Sequence, residues 1–294
     1  MRIVFLGLPL AALLLLHDDC TVALAGLRTG LTLGARRLVR RIGQNQVVLD
    51  PQLDWPSFVA RIEALRPDLL VSWFFTQKIP MSAVHPCRLG GLGVHPSLLP
   101  RHRGPDPFFA AIDAGDTITG VTVHKIAADY DTGAILAQQT LPIDPSWNAW
   151  QLARKLDRPS LEALRSVVRR AAEGDDLHGE PQDESGATSA PQPGEDECVI
   201  RWNETAERIT RRVRALAPVP GAQICIGQEA LTLVRASIFD RVPRALEPGE
   251  ATVIDGMAVV RTGDSGVALI EAERDGEILE ASELAKLVAC ETQR

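Results

Sequence analysis

Hydrophobic residues near the start of the chain fall into short runs separated by turn signals. The run at 2–6 predicts a strand, and Gly7 and Pro9 interrupt it before an apolar helix that reaches about Leu16. The run "TVALAGL" then predicts a second strand. Strand, helix and strand in this order are typical of a parallel sheet covered by helices.

The same N-terminal run has an alternative interpretation as a secretion signal. Arg2 precedes the apolar stretch, and "ALAG" at 23–26 resembles a cleavage site. We favour the strand and helix because they explain Gly7 and Pro9. No apolar run reaches the roughly 20 residues that span a bilayer. We therefore expect a cytoplasmic protein without a membrane partner.

The alternation continues through the first half of the chain. Strand patterns at 47–50 and 69–75 flank an amphipathic helix at 55–68, and further strand patterns lie at 91–95 and 120–126. No G-x-G-x-x-G follows the first strand, so a dinucleotide is not indicated. The pattern predicts an α/β fold with a doubly wound parallel sheet.

The composition changes between Glu173 and Glu197, where nine residues are acidic and none is Lys or Arg. Such a segment is typical of a linker. We therefore predict an N-terminal domain at 1–174, an acidic linker at 175–197 and a smaller domain at 198–294.

The C-terminal domain carries one clear helix signal and several strand signals. "NETAERITRRVRALA" predicts a helix capped by Asn203 or Thr205. Two strands flank a Gly-Gln turn, and Asp255-Gly256 between two β runs predicts a hairpin. The domain is expected to be a small β barrel or sheet.

Composition and charge exclude some classes of function. Hydrophobic residues make up 45% of the chain and charged residues 23%, as in ordinary globular proteins. The net charge of −7 provides no overall attraction to nucleic acid or anionic membranes. The five cysteines form no C-x-x-C pair, so neither a disulfide framework nor a metal site is expected.

Two residues are candidates for acid–base chemistry. His95 follows a strand pattern, at the sheet edge where open α/β folds bind ligands. Asp131 lies in a loop between two strand candidates and could orient a histidine and raise its basicity. The pattern alone leaves a structural role for His95 open and does not select among His85, His102 and His124.

The motifs around His95 add a family resemblance. The stretch at 91–136 contains H-P-S-L-L-P, R-G-P, G-V-T and D-T-G in that order. It resembles the core signature of the folate-dependent formyltransferases, and the two-domain layout is most similar to methionyl-tRNA formyltransferases. The resemblance implies transfer of a formyl group from formyl-tetrahydrofolate, as co-substrate, to an amine without a metal.

By this resemblance, His95 and Asp131 match two of the three catalytic residues of the family. The third is an Asn that hydrogen-bonds the developing oxyanion, and Gly93 stands in its place. Losing one such donor costs about 10²–10³ in rate. Three alternatives follow. The protein is a slow enzyme, a folate-binding or ligand-binding protein without turnover, or an active enzyme whose pocket is rebuilt around a water or His102. We favour the rebuilt pocket.

The resemblance also implies contacts with the substrates. The expected folate contacts are Trp73, Phe75, Gln77, Lys78, Ile79, Asp129 and Tyr130, whereas Phe74 is expected in the core. The expected contacts on the substrate side are Ser97, Arg103 and Gly104.

The acceptor is inferred from charge. From Cys198 onward there are 12 Lys and Arg against 15 Asp and Glu. A tRNA-binding surface is expected to be basic. We therefore favour a small-molecule amine, such as an amino sugar or amino-metabolite, and keep methionyl-tRNA as the alternative.

Overall fold

The computed structural model describes residues 1–29 and 34–292. Contacts between residues divide the chain into two compact units. The first unit comprises Met1–Pro105, Ile118–Pro142 and Lys155–Ser189. The second unit comprises Asp106–Thr117, Ile143–Arg154 and Ala190–Arg294.

A seven-stranded sheet forms the centre of the first unit. Its strands are β1 (Arg2–Gly7), β2 (Thr21–Leu27), β3 (Val47–Leu49), β4 (Leu69–Trp73), β5 (Gly91–His95), β6 (Ile118–Lys125) and β7 (Ile135–Pro142). The strand order is β3-β2-β1-β4-β5-β6-β7. Strands β1 to β5 are parallel, β6 is antiparallel to β5, and β7 is antiparallel to β6. The predicted α/β fold is confirmed, with two antiparallel strands added at one edge.

The helices of the described residues are α1 (Pro9–His17), α2 (Ala35–Ile42), α3 (Pro56–Leu65), α4 (Met81–Val84), α5 (Pro107–Ala114), α6 (Ala149–Ala172), α7 (Glu195–Cys198), α8 (Ala206–Leu216) and α9 (Ala281–Thr292). Pro9 opens α1, as the strand and helix interpretation predicts. Gly7 ends β1 with φ of 131°, and a Cβ there would lie 2.0 Å from the Trp73 carbonyl oxygen. Gly7 and Pro9 therefore interrupt the first apolar run because they form the turn between β1 and α1.

The second unit contains a six-stranded antiparallel sheet. Its strands are β8 (Ala222–Ile226), β9 (Glu229–Ile238), β10 (Ala251–Ile254), β11 (Met257–Arg261), β12 (Gly266–Arg274) and β13 (Glu277–Glu280). The order is β10-β11-β12-β9-β8, and β13 pairs with the second half of β12. The expected smaller β domain is confirmed.

Local signals in the second unit are largely confirmed. Asp255 and Gly256 have φ of 52° and 76° and join β10 to β11 in a two-residue hairpin. Thr205 caps α8 by accepting a hydrogen bond of 3.2 Å from the Arg208 backbone N–H. Strand β13 and helix α9 are not predicted from the sequence, although the buried pair Leu284 and Val288 has helical spacing.

The acidic segment is divided between the units. Residues 175–189 belong to the first unit and residues 190–197 to the second. Glu180 forms a β-bridge with Ile135, and Ser189 forms one with Arg103. The contact-based division therefore differs from the predicted boundaries, because the acidic segment makes backbone hydrogen bonds that its composition does not indicate.

The core of the first unit is mainly aliphatic. Val4, Leu6, Leu24 and Leu70 are fully buried together on one side of the sheet strands. This packing holds the strand ends that carry the candidate site. Among the described residues, no helix is both long and apolar enough to cross a membrane.

Candidate active site

Strand β5 places Gly93 and His95 on one face of the sheet, because side chains two residues apart point the same way. Gly93 pairs with Ser72 of β4 and with His124 of β6, and His95 pairs with Thr122 of β6. Directly opposed residues on neighbouring strands share a face. The register therefore brings His124 to the same face as His95.

His95 is buried, and its two ring nitrogens face different partners. Nε2 lies 2.8 Å from the backbone carbonyl oxygen of His102. Because a carbonyl oxygen only accepts, Nε2 carries the hydrogen and donates it. Nδ1 lies 3.5 Å from Oδ2 of Asp131, somewhat farther than an ordinary hydrogen bond. Nδ1 is therefore the ring nitrogen available for chemistry beside the carboxylate.

Asp131 is held from both its side chain and its backbone. It has φ of 56° in the loop between β6 and β7. Its Oδ2 accepts a hydrogen bond of 2.9 Å from the Gly104 backbone N–H. The Gln182 amide nitrogen donates to the carbonyl oxygens of Asp131 and Gly133, at 2.7 Å each. These bonds fix the carboxylate beside His95.

His124 approaches the other oxygen of the same carboxylate. Its Nε2 lies 3.6 Å from Oδ1 of Asp131. Its Nδ1 donates a 2.8 Å hydrogen bond to the Lys125 carbonyl oxygen. Burial lowers the pKa of His124 to about 4, although the charge of Asp131 acts in the opposite direction. His124 is therefore neutral near pH 7, with Nε2 unprotonated.

The ring of His124 occupies the space in front of Gly93. An ideal Cβ on Gly93 would lie 2.6 Å from His124 Nε2 and 2.8 Å from Cε1. An Asn side chain has no room there while the ring keeps its position. The sequence alone suggests a water or His102 as the replacement for the missing amide, but the group that occupies this space is His124.

Residues 180–189, termed here the 180–189 segment, hold the loop that follows β5. Gln182 Oε1 accepts hydrogen bonds from Arg103 Nε at 3.1 Å and Nη2 at 2.7 Å. Glu184 pairs with the same guanidinium at 2.8 Å, and this contact lowers the pKa of Glu184. The Thr188 carbonyl oxygen accepts from the Arg103 backbone N–H at 2.8 Å. The segment thereby links the two loops of the site.

The expected contacts on the substrate side all bond within the protein. Ser97 is fully buried and donates to the Arg101 carbonyl oxygen at 2.6 Å. The guanidinium of Arg103 donates to Gln182 and Glu184, and the Gly104 N–H donates to Asp131. These residues shape the loop after β5, and their contact with a substrate stays a prediction.

The aromatic residues at the end of β4 differ in exposure. Trp73 is only 1% exposed, and its indole N–H donates to Ser160 Oγ at 2.9 Å. The Phe74 ring stacks on it at a centroid distance of 4.5 Å. Phe74 is partly exposed with φ of 53°, rather than buried as expected. Trp73 thus packs within the core in this conformation.

Other expected folate contacts lie closer to solvent. Phe75 packs at the rim of the hydrophobic cluster that contains Ile79. Lys78 Nζ lies 5.6 Å from the centroid of the Tyr130 ring, which is 54% exposed. The other expected contacts are at least partly exposed: Gln77 and Asp129. The loop after β4 and the loop between β6 and β7 therefore both present accessible side chains.

Two residues of the site escape sequence reasoning. His124 is among the histidines near His95, but the sequence does not identify it as a site residue, because its position depends on the pairing of β5 with β6. Gln182 is not singled out, because a glutamine in an acidic segment carries no local signal. Within residues 1–29 and 34–292, no group of three or more His, Cys, Asp or Glu side chains is arranged to hold a metal ion.

Comparison with known proteins agrees with the motifs. Residues 44–168 match the family described as formyl transferase, and residues 194–288 match formyl transferase, C-terminal domain. The methionyl-tRNA formyltransferase of Herpetosiphon aurantiacus is 30% identical to this chain. The alignment spans 294 residues, gaps included, and covers 94% of each chain.

Solved structures share the fold. HypX from Aquifex aeolicus, in complex with tetrahydrofolic acid, has a TM-score of 0.68 at 21% identity over 98% of this chain and 47% of HypX. This chain thus spans about half the length of HypX. An N-formyltransferase from Helicobacter canadensis, with folinic acid and dTDP-3-aminofucose, has a TM-score of 0.65 at 13% identity, covering 92% of this chain and 98% of its own. Motifs, domain order and fold agree, and the chain belongs to the formyl transferase family.

Proposed function

We propose that this protein transfers a formyl group from formyl-tetrahydrofolate to a primary amine. The observation that carries the proposal is the 3.5 Å approach of His95 Nδ1 to Asp131 Oδ2 at the end of β5. The two residues are 36 positions apart in the printed sequence, and both lie in motifs that resemble the family signature. Membership of the formyl transferase family supports the same reaction.

The chemistry follows from the position of the ring. The amine nitrogen attacks the formyl carbon, a carbon–nitrogen bond forms, and negative charge develops on the formyl oxygen. His95 protonated at Nδ1 donates a hydrogen bond to that oxygen and stabilises the intermediate. Collapse breaks the bond between the formyl carbon and the folate nitrogen, which takes up the proton that the amine loses.

Asp131 serves this step in two ways. Its carboxylate faces Nδ1 of His95 and orients the imidazole ring. It also accepts a proton from the attacking amine, directly or through one water. The Gly104 N–H bond keeps Oδ2 oriented toward the ring. Substitution of Asp131 is therefore expected to reduce the rate more than the affinity for either substrate.

For the folate, we propose the accessible side chains at the end of β4 and in the following loops. The half-exposed Tyr130 ring offers an aromatic face, and Lys78 beside it offers a cation for the folate carboxylates. Phe75 adds apolar surface. Trp73 supports this site from the core rather than by direct contact.

For the acceptor, we propose a small-molecule amine. Three arginines of α8 are paired with carboxylates within the second unit. Arg212 and Arg208 of α8 pair with Asp113 at 2.6 Å and 3.0 Å, and Arg211 pairs with Glu207 at 2.8 Å. A surface that binds the RNA backbone needs cations free to replace counterions.

Methionyl-tRNA is the second candidate acceptor, and one observation favours it. The similar methionyl-tRNA formyltransferase from Herpetosiphon aurantiacus matches this chain over 94% of both lengths. The first unit also carries a group of exposed arginines on α2, namely Arg36, Arg37, Arg40 and Arg41. These cations suit an anionic acceptor, whether a nucleotide-linked sugar or the end of an RNA.

The experiment presents both acceptor classes to the same enzyme. Wild-type protein and Asp131→Asn are incubated with formyl-tetrahydrofolate and either methionyl-tRNA or a panel of amino sugars, amino sugar nucleotides and amino acids. Mass spectrometry then detects the gain of one formyl group. We expect formylation of a small amine by the wild type and a loss of at least about 10²-fold in the variant. Formylation of methionyl-tRNA alone would select the second candidate.

A further inference from the structure

Gly93 and His124 are complementary in shape. They face each other across β5 and β6, and the missing Cβ of Gly93 leaves the space that the imidazole fills. The backbone of Gly93 does not have a positive φ, so space rather than backbone strain excludes a side chain there. The conformation of His124 therefore depends on the absence of a side chain at position 93.

The two imidazoles flank one carboxylate. His95 Nδ1 lies 3.5 Å from Oδ2 of Asp131, and His124 Nε2 lies 3.6 Å from Oδ1. Each ring uses its other nitrogen to donate to a backbone carbonyl. A neutral imidazole carries one hydrogen, so in a neutral ring the nitrogen that faces Asp131 has none. A proton brought to the carboxylate therefore meets a ring nitrogen able to share it.

Resting on the proposed function, we propose that His124 fills the place of the family's Asn at Gly93 and shares with Asp131 the proton taken from the amine. As the amine nitrogen bonds to the formyl carbon, its proton passes to Asp131 and is held between Oδ1 and Nε2. As the bond to the folate nitrogen breaks, the proton passes to that nitrogen. No net proton is gained or lost.

The surroundings of His124 suit this role. It is 4% exposed, so a proton held there is screened from bulk water. The titratable and charged groups that act on it are Asp131 from the loop after β6, His95 from β5 and Arg103 from the loop after β5. His124 acts through Asp131 and is a positioning residue rather than a group that contacts the substrate.

The first test is a cycle of variants at the two positions. Gly93→Asn should lose at least about tenfold in single-turnover rate and unfold at lower temperature, because its Cβ collides with His124. Adding His124→Ala should restore both quantities above the Gly93→Asn level. Gln228→Asn, at an exposed turn between β8 and β9 outside the site, is the control. A double variant no better than Gly93→Asn would overturn the complementarity.

The second test separates proton sharing from packing. Histidine ¹⁵N NMR at pH 7 should find His124 protonated at Nδ1 and not at Nε2, and Asp131→Asn should lower its titration midpoint. His124→Gln should lower kcat at least about tenfold, leave KM nearly unchanged and alter the acidic side of the rate–pH profile. If Asp131→Asn leaves the titration midpoint of His124 unchanged, or if His124→Gln keeps the wild-type kcat, then His124 only fills space and does not share a proton. The NMR and unfolding results need no turnover, so they stand apart from failure of the proposed function.

Discussion

Gln182 donates a hydrogen bond of 2.7 Å from its amide nitrogen to the backbone carbonyl of Asp131. The same nitrogen also reaches the Gly133 carbonyl, and the amide oxygen binds Arg103. A residue in the acidic segment therefore joins the two loops that carry the candidate site. The 180–189 segment belongs to the site and does more than connect domains.

Replacing Gln182 tests this link. Gln182→Ala removes the donor to two carbonyl oxygens and the acceptor of Arg103, and each lost hydrogen bond costs about 0.5–1.5 kcal/mol. We expect a lower unfolding temperature and a formyl-transfer rate reduced at least about tenfold, since the Asp131 loop loses its anchor. Gln228→Ala, at an exposed turn between β8 and β9, is the control. An unchanged rate in Gln182→Ala would show that the loop is held by other contacts.

The depressed pKa of His124 predicts how stability depends on pH. Its value falls from 6.5 to about 4 on folding, so the unfolded chain binds more protons between these values. Stability from this residue is therefore complete above pH 6.5 and is lost as the pH falls toward 4, by about 3 kcal/mol in total. Urea unfolding of His124→Gln across this range should give a shallower slope than the wild type. His85→Gln, at an exposed position, should keep the wild-type slope.

The second unit contains a partly buried ion-pair cluster that predicts a measurable stability effect. Asp113 is 13% exposed and binds Arg212 through both oxygens, at 2.6 Å and 3.0 Å. Asp113→Ala removes the carboxylate partner of the partly buried Arg212, which costs about 1–3 kcal/mol. Glu162→Ala, which breaks an exposed pair with Arg158, should leave the unfolding temperature within error. Equal effects of the two changes would contradict this ranking.

Charge predicts weak binding of tRNA. The chain carries a net charge of −7, and three of the four arginines of α8 are paired with carboxylates within the second unit. Filter binding of tRNA at low and moderate salt should give affinity weaker than about micromolar with a shallow salt slope. Sub-micromolar affinity with a steep slope would favour methionyl-tRNA as the acceptor. Replacing Arg36 and Arg40 of α2 by Gln would then test whether this helix supplies the contacts.

Much of the fold is predictable from local signals. Gly7 and Pro9 mark the turn between β1 and α1, and Asp255-Gly256 marks the hairpin between β10 and β11. These signals work because each depends on backbone freedom at one or two residues. Helix α9 is missed although the four-residue spacing of the buried Leu284 and Val288 is a readable helical signal.

The site is less predictable, because its remaining parts depend on contacts distant in sequence. His95 and Asp131 follow from motifs, but His124 gains meaning only from the register that sets it opposite Gly93. Gln182 lies 51 residues from Asp131, in a segment whose composition suggests a linker. Composition reports average solvation and not the particular hydrogen bonds that a segment makes.

We propose that His95 and Asp131 catalyse the transfer of a formyl group to an amine. The most direct measurement is single-turnover transfer from isotopically labelled formyl-tetrahydrofolate to an acceptor found in the panel, read by mass spectrometry. His95→Ala and Asp131→Asn are compared with wild type and with the control His85→Gln. We predict labelled product from the wild type and the control, with a loss of about 10²–10⁴-fold in the two site variants. Undiminished transfer by either site variant, or no transfer by the wild type to any amine including methionyl-tRNA, would contradict the claim.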